Sequence, residues 1–279
     1  MARSRAIVVV GMHRSGTSAV ARGLQALGVY LGNDFLHAQP ENPTGYWEDR
    51  PIVELNERVL KSLKLRWDGT RPIDRREFGA WRMWRLRREA VRELRRRFTP
   101  HPIWGFKDPR TIRLLPFWHR VLQEAAVDDA YLLVIRSPAS IAASLYARQK
   151  MDVETAQRLW LAHMVPFLRE IADRPLAVVD YDLLMRDPSA QLGRIARRMD
   201  IPNGEAREID RFAGDFIDAN LRHTVFSLDD IDASTEAARL TRDAFLLLYE
   251  LASDRAKPDA AFWQAWKNVE SSFDTLRTT

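Results

Sequence analysis

Val8-Val9-Val10-Gly11-Met12-His13-Arg14-Ser15-Gly16-Thr17-Ser18 is the stretch around which the chain is organised. Ile7 to Val10 is an apolar, β-branched run of the kind a buried parallel strand requires. A six-residue frame follows, with glycine at both ends, Gly11 and Gly16. After it, Thr17, Ser18, Val20, Leu24 and Leu27 mark the start and inner face of a helix expected over Gly16–Leu27. A strand, a glycine-bounded turn and a helix N-terminus together cradle a phosphate with backbone N–H groups.

The frame departs from the nucleotide-binding pattern G-x-x-x-x-G-K-[ST] at one position. Gly11, Gly16 and Ser18 fit, but Thr17 stands where the lysine belongs. The nearby cation is Arg14, inside the loop. The expectation is an anion-binding loop that does not hold magnesium nucleotide in the ordinary way.

Working outward, Leu31–Glu48 is a loop rich in Gly, Pro and Asn that leaves the C-terminal side of the first strand. Open α/β sheets bind ligands at that edge. The loop carries His37, Glu41, Tyr46, Trp47, Glu48 and Asp49, which suits either a substrate pocket or a solvent loop pinned by Tyr46 and Trp47. Pro51 opens a helix to Leu63, and Arg75 to Phe98 is expected to form one long basic helix. Most of its arginines belong to a solvated face, some paired with Glu89 and Glu93, although such a face also suits nucleic acid or an acidic glycan.

Further strands are expected at Ile103–Phe106, Tyr131–Ile135 and Leu176–Val179, with helices at Arg113–Ala125, from Pro138 to Gln149, Val153–Ile171 and Ser189–Met199. Strands alternating with helices imply an α/β fold, three layers deep, with a central mostly parallel sheet flanked by helices. His163 falls on an apolar helix face, as a buried structural histidine would. Residues 201–231 are less regular, and helices follow from Thr235 to Leu251 and around Phe262 to Val269. No linker divides the chain, so a single domain over 1–279 is expected, with an α/β core at about 5–200 and a helical part at about 201–276.

Three strand ends deliver cations, Arg14, Lys107 and Arg136. In a parallel sheet these share one edge and suit a compact anion with two phosphate-like groups. The loop Gly11-Met12-His13-Arg14-Ser15-Gly16-Thr17-Ser18 resembles the 5′-phosphosulfate loop of sulfotransferases that use 3′-phosphoadenosine 5′-phosphosulfate (PAPS), nearest to the bacterial and Golgi-type carbohydrate branch. Arg136-Ser137-Pro138-Ala139-Ser140-Ile141-Ala142-Ala143-Ser144 resembles the 3′-phosphate motif of the same family, where a strand-ending arginine precedes a serine by eight positions.

The resemblance implies direct sulfuryl transfer from PAPS to an acceptor hydroxyl of a carbohydrate or glycoconjugate, leaving 3′-phosphoadenosine 5′-phosphate, with no metal required. It places the cofactor on Gly11, His13, Arg14, Ser15, Gly16, Thr17, Ser18, Arg136 and Ser144. Arg14 would stabilise the departing 5′-phosphate, and Lys107 the bridging or transferring oxygens. The carbohydrate branch uses a glutamate after the first helix as base, which points to Glu48, then Glu41; the cytosolic branch uses a histidine, and His37 is the one in this loop. Arg222 matches a late basic clamp on the 3′-phosphate, although its segment lacks the glycines of the cytosolic version.

Composition sets the outer bounds. The 279 residues are 46% hydrophobic and 29% charged, as in ordinary globular proteins. The absence of cysteine excludes disulfides, a thiol nucleophile and thiolate metal sites. Net charge is +5, a mild excess that suits an anionic ligand and by itself argues for no nucleic-acid partner. The five residues before the first strand leave no room for a leader, and no apolar run approaches a membrane span, so a cytoplasmic location without a transmembrane segment is expected. Two other readings stay open, a P-loop kinase of a small molecule and a noncatalytic nucleotide- or polyanion-binding protein.

Overall fold

Four short runs of β-branched and aromatic residues pair in parallel, and every other element is placed by that sheet. In the computed structural model, which describes residues 3–38, 45–202, 206–216 and 234–278, the strands are β1 (Arg5–Gly11), β2 (Ile103–Lys107), β3 (Asp128–Ile135) and β4 (Leu176–Asp180). Their order is β2-β1-β3-β4. All three pairings are parallel, with Val8 opposite Phe106 on one side and Tyr131 on the other. The C-terminal ends of all four strands therefore share one edge.

The alternation along β1 divides the interior into two layers. Ala6, Val8 and Val10 join one buried cluster, and Ile7 and Val9 join another. The second cluster is closed by α1 (Thr17–Ala26) and α8 (Pro188–Arg198), through Val20, Leu24, Leu192 and Ile195. The first is larger. It takes α2 (Arg50–Ser62), α3 (Trp81–Arg97), α4 (Leu115–Ala125), α5 (Pro138–Gln149) and α6 (Val153–Met164), with α10 (Glu236–Ala252) and α11 (Ala260–Thr278). Phe245 and Trp266 from the last two helices lie in the same cluster as Val8.

Three expected helices are shorter than their apolar patterns. The segment expected as one helix over 75–98 is a 3₁₀ turn, Arg75–Gly79, followed by α3. Asp74 accepts from Arg76 N–H while Glu77 accepts from Asp74 N–H, and this capping box starts the turn. Ala80 then adopts an extended conformation and separates the two pieces. The helix expected to reach Ile171 stops at Met164, because Pro166 has no N–H to continue the ladder; a 3₁₀ turn over Leu168–Ile171 follows. The segment before α4 is a 3₁₀ turn, Pro109–Leu114, capped by the Asp108 carboxylate. Two short helices were not foreseen. One is α7 (Tyr181–Arg186), which starts where β4 ends and is capped by Asp180; the other is α9 (Ala206–Arg211). No helix among the described residues is long and apolar enough to cross a membrane.

Candidate active site

The loop after β1 is built by close approach. A Cβ on Gly11 would lie 2.5 Å from the Val134 carbonyl of the neighbouring strand. Gly16 has φ +89°, and a Cβ there would collide with the Tyr181 ring at the start of α7. Neither position admits a side chain. Ser15 Oγ donates to the Met12 carbonyl at 2.7 Å and pins the turn. Arg14 has φ +70°, a left-handed conformation that a non-glycine residue adopts at a cost. Thr17 is buried in the first turn of α1, its methyl facing Gly11.

The arginine of this loop meets the second sequence motif. Arg14 Nε donates to Ser144 Oγ at 2.9 Å, joining residues 130 positions apart. β1 has β2 on one side and β3 on the other, so the crevice between the ends of β1 and β3 is the switch point of the sheet. The bond spans that crevice. Arg136 leaves β3 beside it, with its guanidinium 4.7 Å from the centre of the Tyr181 ring. Tyr181 thus touches both Gly16 and Arg136. It stood in the sequence at a strand end, between Asp180 and Asp182, without a cation to single it out.

At the opening of α5, the hydroxyls of Ser137 and Ser140 are buried and have no hydrogen-bond partner among the described residues. Buried unpaired hydroxyls beside an arginine at a helix N-terminus fit an oxyanion ligand. Asp180, below Arg136, has its pKa raised to about 6 by burial, against the opposing pull of its bond to Leu183 N–H.

Lys107, at the end of β2, is buried and fully engaged. Its Nζ donates to Glu48 Oε1 at 2.6 Å, the Tyr46 carbonyl at 3.0 Å and Ser18 Oγ at 3.2 Å. One ammonium therefore holds the start of α1 and the segment before α2 together. Burial pushes the Glu48 carboxyl above its usual range, while Lys107 pulls it back. Arg110 Nη1 lies 3.7 Å from the other Glu48 oxygen and 2.8 Å from Asp108. Asp108 is held in turn by Asn56 Nδ2 at 2.9 Å, and Trp118 Nε1 donates to Asn56 at 2.8 Å. This chain of polar groups behind Glu48 was not read from the sequence; Arg110 and Asp108 stand in the strand-ending Lys107-Asp108-Pro109-Arg110, but Asn56 and Trp118 lie on helices that read as apolar faces.

His13 of the same loop packs against two rings. Its ring stacks obliquely on Trp67 at 4.4 Å and meets His163 edge-on at 6.1 Å. Burial, reinforced by Arg110 and His163, drives its pKa well down, so the imidazole is neutral. Its Nε2 has no hydrogen-bond partner among the described residues. His163 is buried as expected, with Nδ1 against the Leu159 carbonyl at 2.8 Å. His37, by contrast, is exposed and contacts Arg50 at 3.4 Å, with no bond to Lys107 or Glu48. Glu41 and Arg222 lie outside the described residues. Among those described, no group of three or more His, Asp or Glu is placed to hold a metal.

The parallel sheet thus gathers the Gly11–Ser18 loop, Arg136 and the start of α5 at its β1/β3 edge, with Arg14 and Ser144 bonded across it. Residues 6–205 match the sulfotransferase family, and the chain belongs to it. Among solved structures, the chain is similar to the sulfotransferase domain from the Synechococcus PCC 7002 olefin synthase, at 15% identity and a TM-score of 0.47, covering 88% of this chain and 96% of that one. It is also similar to the sulfotransferase STF1 from Mycobacterium tuberculosis H37Rv, at 18% identity and a TM-score of 0.43, covering 88% and 77%. No curated protein matches the chain.

Proposed function

We propose that this protein moves a sulfuryl group from PAPS to a hydroxyl of a carbohydrate or glycoconjugate acceptor. The observation that carries the proposal is the Arg14–Ser144 bond across the β1/β3 crevice, which joins the two anion-binding motifs into one site. When bound, PAPS supplies the activated sulfuryl group. Arg14 and the backbone of Gly11–Ser18 hold its 5′ end, and Arg136, Ser144 and the unpaired hydroxyls of Ser137 and Ser140 its 3′-phosphate. Glu48, with its carboxyl raised by burial, takes the acceptor proton. Lys107, already within 2.6 Å of Glu48, shares charge between that carboxylate and the transferring oxygens. Because α10 and α11 close the same core as β1, the chain acts in this proposal as one catalytic domain.

A kinase reading loses its main support at Thr17, which stands where a nucleotide-binding lysine would reach the β- and γ-phosphates. Calorimetry decides between the two. Adenosine 3′,5′-bisphosphate is expected to bind at least tenfold more tightly than ADP or ATP, a difference of about 1.4 kcal/mol. Equal or tighter binding of ATP would sink the proposal. Incubation with PAPS and a panel of neutral and acidic glycans then identifies the acceptor by mass gain.

A further inference from the structure

The outer face of α3 is unlike the rest of the described surface. Trp81 is 67% exposed, the most of any large apolar side chain there, and Trp84 on the next turn is 42% exposed. Arg85 lies over the Trp81 ring at 4.6 Å, and Arg88 over the Trp84 ring at 5.0 Å. The spacing 81, 84, 85, 88, 92 keeps all five on one stripe about 16 Å long. Other arginines of the helix are committed: Arg87 to Glu124, Arg96 to Glu93 and Arg97 to Asp49. Arg82, Arg85, Arg88 and Arg92 make no ion pair with a carboxylate among the described residues.

The charge spreads sideways as well as along the helix. Arg97–Asp49 and Arg58–Glu89 bind α3 antiparallel to α2, which brings the end of α2 beside the start of α3. A hollow of about 900 Å³ beside α3 is lined by Trp84, Arg85, Arg88, Glu89 and Arg92, among others. A second hollow of about 600 Å³ is lined by Arg58, Lys61, Lys64, Arg66 and Trp67. The two meet at the Arg58–Glu89 pair. Lys61 and Lys64 also lack a carboxylate partner among the described residues.

We propose that this two-element patch docks the protein on an anionic phospholipid surface. A linear polyanion needs one row of cations, whereas these cover an area. Each tryptophan has a guanidinium over one face, so ring and cation are presented to the surface as a pair. At a bilayer interface the same pairs are used whole, with the ring among headgroups and the guanidinium on lipid phosphate. The contribution of each such cation corresponds to about a fivefold change in partitioning. Trp67, which lines the second hollow, is the residue stacked on His13, so the patch borders the candidate active site.

Sedimentation of the full chain with vesicles tests this without any acceptor. Vesicles of phosphatidylcholine mixed with phosphatidylglycerol are expected to pellet the protein at low salt, to release it at high salt, and phosphatidylcholine alone to leave it in solution. The triple variant R85E/R88E/R92E should lose about a hundredfold or more in partitioning, and W81A/W84A should lose binding while retaining calorimetric binding of adenosine 3′,5′-bisphosphate. K61E/K64E, on the neighbouring helix, should weaken partitioning and serves if the α3 variants misfold. Absence of binding to the mixed vesicles, or unchanged binding by the charge-reversal variants, overturns the proposal. Binding of the patch to transfer RNA or heparin without vesicle binding overturns it in favour of a linear polyanion.

Discussion

Glu48 and Lys107 pose the sharpest question at the scale of single residues. A buried carboxylate 2.6 Å from a buried ammonium is costly to leave half-made, so removing one partner exposes the other to an unpaired interior. Glu48→Gln keeps the shape and an acceptor for Lys107 while removing the proposed base. It is expected to bind adenosine 3′,5′-bisphosphate as before and to lose on the order of a hundredfold or more in transfer, read by radiolabelled sulfate incorporation. Unchanged turnover would move the base elsewhere. The pH dependence follows from the same carboxyl. Burial raises its pKa, and a base works only when deprotonated, so kcat/KM should rise with pH through a point above the ordinary glutamate range. Lys107→Ala should disturb more than chemistry, because Nζ also ties Ser18 and Tyr46 together; lower thermal stability as well as lower activity is expected.

Among the elements, the junction of the phosphate loop with α7 is the most tightly determined. Gly16→Ala meets two penalties, a positive φ and the Tyr181 ring. A loss of about 1–3 kcal/mol in urea denaturation is expected. Tyr181→Ala in the same chain should return the steric part only, leaving the backbone part in place. The strands and the turn at Gly11–Gly16 were legible in the sequence because short apolar runs that stop at a glycine or a charged residue have few other readings. The helix breaks were harder to see. Apolar spacing continues through Phe78 and Met83, and through Met164 and Phe167, while the backbone follows the Asp74–Glu77 cap and Pro166 instead. The pairing of Arg14 with Ser144 had no local signal at all. It depends on β3 lying next to β1, which sequence order does not state.

For the whole molecule, two buried histidines tie stability to pH. His163 has its pKa lowered to about 3 by burial, against 6.5 in an unfolded chain. The unfolded state therefore binds the proton first, and stability is lost as pH falls below about 6.5, progressively down to about 3. Between pH 6.5 and 5 this one group accounts for about 2 kcal/mol at most. His13 acts in the same direction. Urea midpoints of His163→Gln at pH 7 and pH 5 should differ less than those of the natural chain; an equal difference would show that the proton is taken up elsewhere.

The Arg14–Ser144 bond carries one more consequence for this architecture. Each partner is assigned to a different end of the cofactor, yet each already satisfies the other. On the proposed function, Ser144 would rival the 5′-phosphate for Arg14 while also holding the 3′-phosphate. Ser144→Ala should then divide the nucleotides into two groups: weaker binding for adenosine 3′,5′-bisphosphate, but equal or up to about tenfold tighter binding for AMP, since a charge-assisted hydrogen bond of about 1.5 kcal/mol no longer has to be exchanged. Selectivity for two phosphates over one would come from a competition inside the protein, in which a ligand with one anionic group displaces a hydroxyl and recovers only half of what it disturbs.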